Sequence, residues 1–268
     1  MFPHTGCPGD ELNRCEFPKK LRASQRINGT DEARPGYFAV SLNTSIHAEM
    51  TVTNHTALYR FTFPRNLTQP AGTVGANSSA LPYSPLILVD LTDIAESRSD
   101  GSMSVDPGSG RVVGNGTFRP SFGIGTYTLH FCADFHGAKI RDTGVFMNNR
   151  AGSGTKSVKV AVDGNNDNSP VPAGAWVQFH PPESSDQILA RVGLSFFSTA
   201  QACGNAEKEL ETFDFEETRK AAEDAWRGKL SAVEVDATGV DESLQRLFWS
   251  GIYRSFISPQ DYTGQCSS

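Results

Sequence analysis

The chain has 268 residues, 38% hydrophobic and 20% charged, with 25 glycines and 15 prolines, which is the balance of a globular protein rich in turns, with one large core or two modest ones. Its net charge of -6, with no Lys/Arg block longer than Lys19-Lys20, argues against nucleic acid as a partner, because phosphate binding needs a concentrated cationic face. No run of 18 apolar residues occurs, so no helix is expected to span a membrane.

Residues 1–35 are polar and punctuated by Pro, Gly and Asn without periodicity, and read as an irregular N-terminal segment. From Gly36 a period of two takes over. Phe38, Val40 and Leu42 alternate, then Ile46, Ala48, Met50 and Val52, then Tyr59, Phe61 and Phe63, the pattern of an antiparallel meander. After a Ser/Pro/Gly/Asn loop, Leu86 to Leu91 is nearly continuous in apolar residues, as a strand buried on both faces must be. Arg111–Phe118, Thr126–Phe135, Gly144–Met147, Ser157–Asp163, Ala175–His180 and Gln187–Phe197 follow as strands. About ten strands without a helix between them predict an antiparallel two-sheet β-sandwich over residues 36–198.

Beyond Ser198 the hydrophobic period changes to 3.6. Thr199–Leu210 is a helix capped by Ser198 or Thr199, with Ala202, Ala206 and Leu210 on one face. A second helix starts at Asp214, which with Glu217 resembles a capping box, and its inner face is expected to be Thr218, Ala221, Ala222, Ala225, Trp226 and Leu230. These two form a helical linker over residues 199–238. A third helix, Val240–Ile257, opens the last segment, 239–268. Its Leu244, Leu247, Phe248, Trp249, Ile252, Tyr253, Phe256 and Ile257 cover most of the circumference, and a helix apolar nearly all round belongs inside a larger assembly. Leu244, Phe248, Trp249, Ile252, Tyr253 and Phe256 are therefore expected to pack against a helical domain that this sequence does not contain.

Six Asn-x-Ser/Thr sequons stand at Asn28, Asn43, Asn54, Asn66, Asn77 and Asn115. Chance would give roughly two among 13 asparagines, so the excess points to a secreted, glycosylated chain. The sequence around Met1 lacks a basic n-region and an apolar h-region, and residues upstream are expected. Among five cysteines, Cys7 and Cys15 bracket a short loop and form the best local disulfide candidate. Cys132, Cys203 and Cys266 are left without an assigned pairing.

Possible chemistry is sparse. His130, Cys132, Asp134 and His136 share one face of a predicted strand; this is either a ligand-like spacing or, as the plainer reading has it, the wetter outer face of a sandwich strand. Asp163–Asn168 resembles half a calcium loop but lacks the later glycine and glutamate, and a hairpin loop is the better reading. Asp90 and Asp93, and Asp100 and Asp106 in the Ser/Gly loop beyond, could form carboxylate pairs, but turn chemistry is the better reading. Trp176, Trp226 and Trp249 could stack on sugars, yet periodic aromatics are usually core.

Ordered blocks carry a more specific signal. Pro35-Gly36-Tyr37-Phe38, Ile46-His47-Ala48-Glu49-Met50-Thr51-Val52-Thr53 and Tyr59-Arg60-Phe61-Thr62-Phe63-Pro64 resemble the PGYY, AELTAT and HRYTFP blocks of glycoside hydrolase family 92. Arg191-Val192-Gly193-Leu194-Ser195-Phe196, Asp214-Phe215, Ala225-Trp226, Leu230 and Phe248-Trp249-Ser250-Gly251-Ile252-Tyr253-Arg254-Ser255 continue that order. The resemblance implies an N-terminal β-sandwich joined by a helical linker to an (α/α)6 barrel, of which the third helix is the first. It further implies a secreted, inverting, calcium-dependent exo-α-mannosidase acting on mannose-containing glycans. In that family the acid, the base and the calcium ligands come from the barrel beyond residue 268, so no catalytic or metal residue maps onto this chain and no cofactor is expected within it. The rival expectations are a freestanding carbohydrate-binding sandwich and a glycan amidase.

Overall fold

The computed structural model describes residues 1–7, 11–15, 17–20, 22–64, 84–91, 97–121, 123–148, 150–161, 171–182 and 185–257. In chain order the strands are β1 (Phe2–His4), β2 (Glu32–Arg34), β3 (Tyr37–Ser41), β4 (His47–Val52), β5 (Thr56–Thr62), β6 (Leu86–Asp90) and β7 (Arg98–Val105), followed by β8 (Val112–Phe118), β9 (Tyr127–His136), β10 (Ile140–Met147), β11 (Arg150–Gly152), β12 (Ser157–Ala161), β13 (Ala173–Phe179) and β14 (Gln187–Ser195). They pair antiparallel in two sheets. The smaller has the order β1-β6-β13-β10-β11 and the larger β12-β7-β8-β9-β14-β5-β4-β3-β2.

The main core lies between the sheets. Ile87, Val89, Ala175, Val177 and Phe179 of the small sheet meet Ile46, Phe61, Met103, Ala133, Ile188 and Ala190 of the large one. Strand β6 shows why its sequence is apolar throughout. Ile87 and Val89 face this core, while Leu86 and Leu88 face a second cluster with Phe17, Phe146 and Trp176 on the other side.

The second cluster corrects the reading of residues 1–35 as irregular. That segment supplies β1 to the small sheet and β2 to the large one, and Phe17 seals the outer face of β6 and β13. A disulfide joins Cys7 to Cys15, and Arg22 forms an ion pair with Asp90 of β6. Strands of three residues are too short to show a period, so their pairing comes from the neighbouring sheet edges.

A second correction concerns Arg98–Val105, read as Ser/Gly loop. It is an eight-residue strand paired on both sides, to β12 and β8. Met103 and Val105 point into the core, so two apolar anchors suffice where both flanking strands satisfy the backbone.

Helices α1 (Thr199–Glu209) and α2 (Phe215–Leu230) cover the outer face of the large sheet, α1 over β9 and β14, α2 over β3 to β5. Helix α3 (Glu242–Ser255) follows an irregular connection and buries no residue.

Candidate functional site

Among the described residues, linked ion pairs and hydrogen bonds gather where α1 and α2 meet the large sheet. Ser198 caps α1 by accepting from the Gln201 amide at 3.1 Å, and Ala202 and Ala206 are the buried face. Gly193 on β14 sets the approach: a Cβ there would stand 2.1 Å from the Ala202 carbonyl oxygen, so no larger residue fits under the helix. A disulfide then fastens Cys203 of α1 to Cys132 of β9.

Asp134, two residues along β9, accepts from Arg111 Nε at 2.6 Å and from Arg191 Nε at 2.9 Å. Arg111 also reaches Glu207 on α1 at 2.6 Å. Arg191 donates to the Leu210 carbonyl at 2.5 Å, placing a cation at the C-terminal end of α1, where the helix dipole favours one. His130 lies 3.3 Å from Thr199 Oγ1, and His136 stacks on Phe213 with centroids 5.2 Å apart. This face of β9 thus lies under α1 at Cys132 and Asp134, with its cysteine in a disulfide and its carboxylate between two guanidinium groups, while His136 at its end is exposed.

Under α2 the pattern repeats. Asp214 caps the helix by accepting from the Glu217 amide at 2.9 Å, and Gly36, at φ +85°, leaves room for it, since a Cβ would come within 2.9 Å of the Ala222 carbonyl carbon. Glu49 receives Arg60 through two bonds of 2.5 and 2.6 Å and the Tyr37 hydroxyl at 2.9 Å. Burial pushes the Glu49 carboxyl up, but donation by Arg60 and Tyr37 outweighs it and holds the group below its ordinary range. The same burial, with the bond to Glu49, pushes the Tyr37 hydroxyl up to about 12. Arg60 continues to Glu216 at 2.9 Å and lies over the Phe215 ring at 4.1 Å.

A third junction ties the β4–β5 turn to the end of α1. Glu209 accepts from Thr53 Oγ1 at 2.5 Å, the His55 amide at 2.9 Å and His55 Nδ1 at 2.7 Å. Burial again raises this carboxyl, and donation from Thr53 and His55 reverses the direction, lowering it. Next to it a groove of about 780 Å³ runs past Val52, Asn54, Leu210, Ala221, Ala225 and Trp226. Ala221 and Ala225, expected on the inner face of α2, are exposed here and line the groove instead.

Helix α3 contrasts with both neighbours. Asp241 caps it, but Leu244 is 57% and Phe248 43% exposed, Phe256 is exposed, and Trp249, Ile252 and Tyr253 are half-buried. Tyr253 meets Trp226 of α2 with centroids 4.8 Å apart, and Trp249 meets its own neighbour Phe248. Trp176, by contrast, is fully buried in the outer core of the small sheet.

The carboxylate pairs considered from sequence do not assemble. Asp90 is paired with Arg22, Asp100 lies on β7, and Asp106 accepts from Ser109 and Gly108 in a turn; Asp93 lies outside the described residues. The half calcium loop Asp163–Asn168 and Cys266 also lie outside them. Among the described residues no group of three or more His, Cys, Asp or Glu stands where it could hold a metal ion. Glu49 and Glu209 are held ionised, whereas glycoside hydrolysis needs one carboxyl kept protonated. Chemically the seam is a brace.

Sequence reasoning missed the seam as such, although Gly36, Tyr37, Glu49, Arg60, Arg191 and Gly193 all lie in the blocks that carried the resemblance. Of the sequons, Asn28, Asn43 and Asn54 are exposed, Asn115 is half-buried within β8, and Asn66 and Asn77 lie outside the described residues.

Comparison with known proteins gives these features a context. The glycosyl hydrolase family 92 N-terminal domain matches residues 1–195, and the family 92 catalytic domain matches residues 201–268. An uncharacterized secreted glycosidase from Arthroderma benhamiae is 47% identical over 262 residues, which is 97% of this chain and 32% of that protein. The chain therefore spans about a third of that relative's length. An inverting mannosidase of family 92 from Bacteroides thetaiotaomicron superposes with a TM-score of 0.72 at 20% identity, covering 97% of this chain and 30% of that one. A further family 92 glycosyl hydrolase gives a TM-score of 0.73 at 23% identity, over 97% and 32% of the two chains.

Proposed function

The chain belongs to glycosyl hydrolase family 92, and from that premise we propose that it is the sandwich, linker and first barrel helix of a secreted α-mannosidase that cleaves mannose-containing glycans with inversion. The observation that carries this is α3. Its apolar band lies within the stretch that matches the family's catalytic domain, residues 201–268, and stands exposed while α1 and α2 are packed on the sheet. Its Leu244, Phe248, Trp249, Ile252, Tyr253 and Phe256 would bury against the other barrel helices. The sandwich would brace that barrel and help shape the mouth of the sugar site. Residues 1–198 then form one sandwich unit, 199–238 the linker, and 239–268 the start of the barrel.

Inverting hydrolysis places a protonated acid and an ionised base on opposite sides of the scissile bond, with a water between base and sugar. The carboxylates of the seam are committed to arginine and histidine partners, so the acid, the base and the donors for calcium are assigned to the remainder of the catalytic domain. The test is release of mannose from an α-mannoside by this chain alone and after mixing with the complementary portion of the Arthroderma relative. No turnover alone and calcium-dependent turnover of the mixture are expected. Turnover by the chain alone overturns the assignment.

A further inference from the structure

We infer that Asn28, Asn43 and Asn54 carry N-linked glycans, and that these mark the faces of the sandwich that stay in solvent. Each opens a sequon, Asn28-Gly29-Thr30, Asn43-Thr44-Ser45 and Asn54-His55-Thr56. Each is exposed and sits in a turn or bend rather than a strand. Among the described residues no hydrogen bond occupies their side-chain amide nitrogens. Asn43 shows the compatibility best: its Oδ1 accepts from the Gln25 amide at 3.3 Å, and a glycan on Nδ2 leaves that bond in place. Asn115 differs, being half-buried in the middle of β8 between Ser102 and His130, and is not included.

A separate observation agrees with that setting. The two disulfides, Cys7–Cys15 and Cys132–Cys203, belong to an oxidising compartment, of which the secretory lumen, where the glycan donor resides, is one. That donor is a lipid-diphosphate oligosaccharide. The asparagine Nδ2 forms a bond to its anomeric carbon as the carbon–oxygen bond to the diphosphate breaks. The lipid diphosphate leaves with the electron pair, and one amide proton is released.

The placement has consequences for the fold. The Asn28 and Asn43 turns are joined by bonds from the Asn43 amide to Gln25 and from the Ile27 amide to Ser41, both 2.8 Å. Two glycans would stand side by side there, next to β2 and β3, and guard the free edge of the large sheet against pairing with another chain. Asn54 lies at the opposite end of β4 and on the rim of the α2 groove. A glycan there keeps that end of the groove open, so the remaining barrel helices approach from the α3 side. This last corollary rests on the proposed function; the glycans themselves do not.

The chain secreted by a eukaryotic host is digested with peptide N-glycosidase in heavy-oxygen water and its peptides are mapped by mass spectrometry. Labelled aspartate at 28, 43 and 54 is expected, and unmodified asparagine at a position overturns the inference there. Asn28→Gln, Asn43→Gln and Asn54→Gln should each remove one glycan step on a gel; a variant that is not secreted leaves the wild-type map to decide. The map is read without any activity, so its failure and that of the mannosidase reading are distinguishable. In the complemented enzyme, equal turnover by Asn54→Gln and the glycosylated chain supports the corollary, and turnover gained only on removing that glycan overturns it.

Discussion

Helices α1 and α2 on one side, and α3 on the other, use the same materials to opposite effect. All three are capped by a side-chain oxygen, at Ser198, Asp214 and Asp241, and α2 and α3 both contribute to the blocks that resemble family 92. Against the sheet, block residues find partners inside the chain: Gly36 and Gly193 admit the helices, Arg60, itself held by Glu49, reaches Glu216 of α2, and Arg191 reaches the end of α1. The block from Phe248 to Ser255 finds almost none. A motif is therefore no sign of a catalytic group. In the first case it records how a helix lies on a sheet, and in the second an exposed apolar face, the one proposed above to pack against further barrel helices.

Breaking the packed side should cost most. Replacing Cys132 and Cys203 together by Ser opens a loop of 71 residues and should lower stability by about 4 kcal/mol, read as a fall in the urea midpoint. Glu49→Leu, which leaves Arg60 and the Tyr37 hydroxyl without their carboxylate, should cost about 3 kcal/mol by the same measurement. If either variant unfolds like the parent, the seam is not what holds the helices.

A graded effect should follow from pH. Glu49 and Glu209 have folded values below the unfolded one, so their contribution is complete above about pH 4.3 and is lost as pH falls through the folded values. Urea midpoints should be level from neutral pH down to about pH 5 and drop below about pH 4, with Glu209→Gln flattening the drop. Tyr37 works at the other end. Its value is raised to about 12, so its contribution is complete below about pH 10 and is lost as pH climbs towards the folded value.

The smallest expected effect is on the bare side. Leu247→Glu on α3, at a residue 66% exposed, should change stability by less than about 0.5 kcal/mol, while reducing self-association and binding of a hydrophobic dye. A loss above about 1 kcal/mol would mean that α3 packs on its own sandwich, and the contrast would fall.

Much of this molecule was legible in the order of its residues. Alternation in β3, β4, β5 and β14, the apolar run of β6, and the cap at Asp214 depend only on near neighbours along the chain, and the ordered blocks carried the family. Strands β1, β2 and β7 were not legible, because their backbones are satisfied by strands far away in sequence while their side chains show little period. Nor was the role of Asp134, which could be read as a ligand or a wet surface until Arg111, Arg191 and α1 were seen around it. The sequence by itself thus determined the sandwich, the three helices and the greasy face of the last one. Only the tertiary structure decided that Cys132 joins Cys203 and that Glu49 serves Arg60, since an ion pair or a disulfide depends on distance in space, which spacing along the chain does not encode.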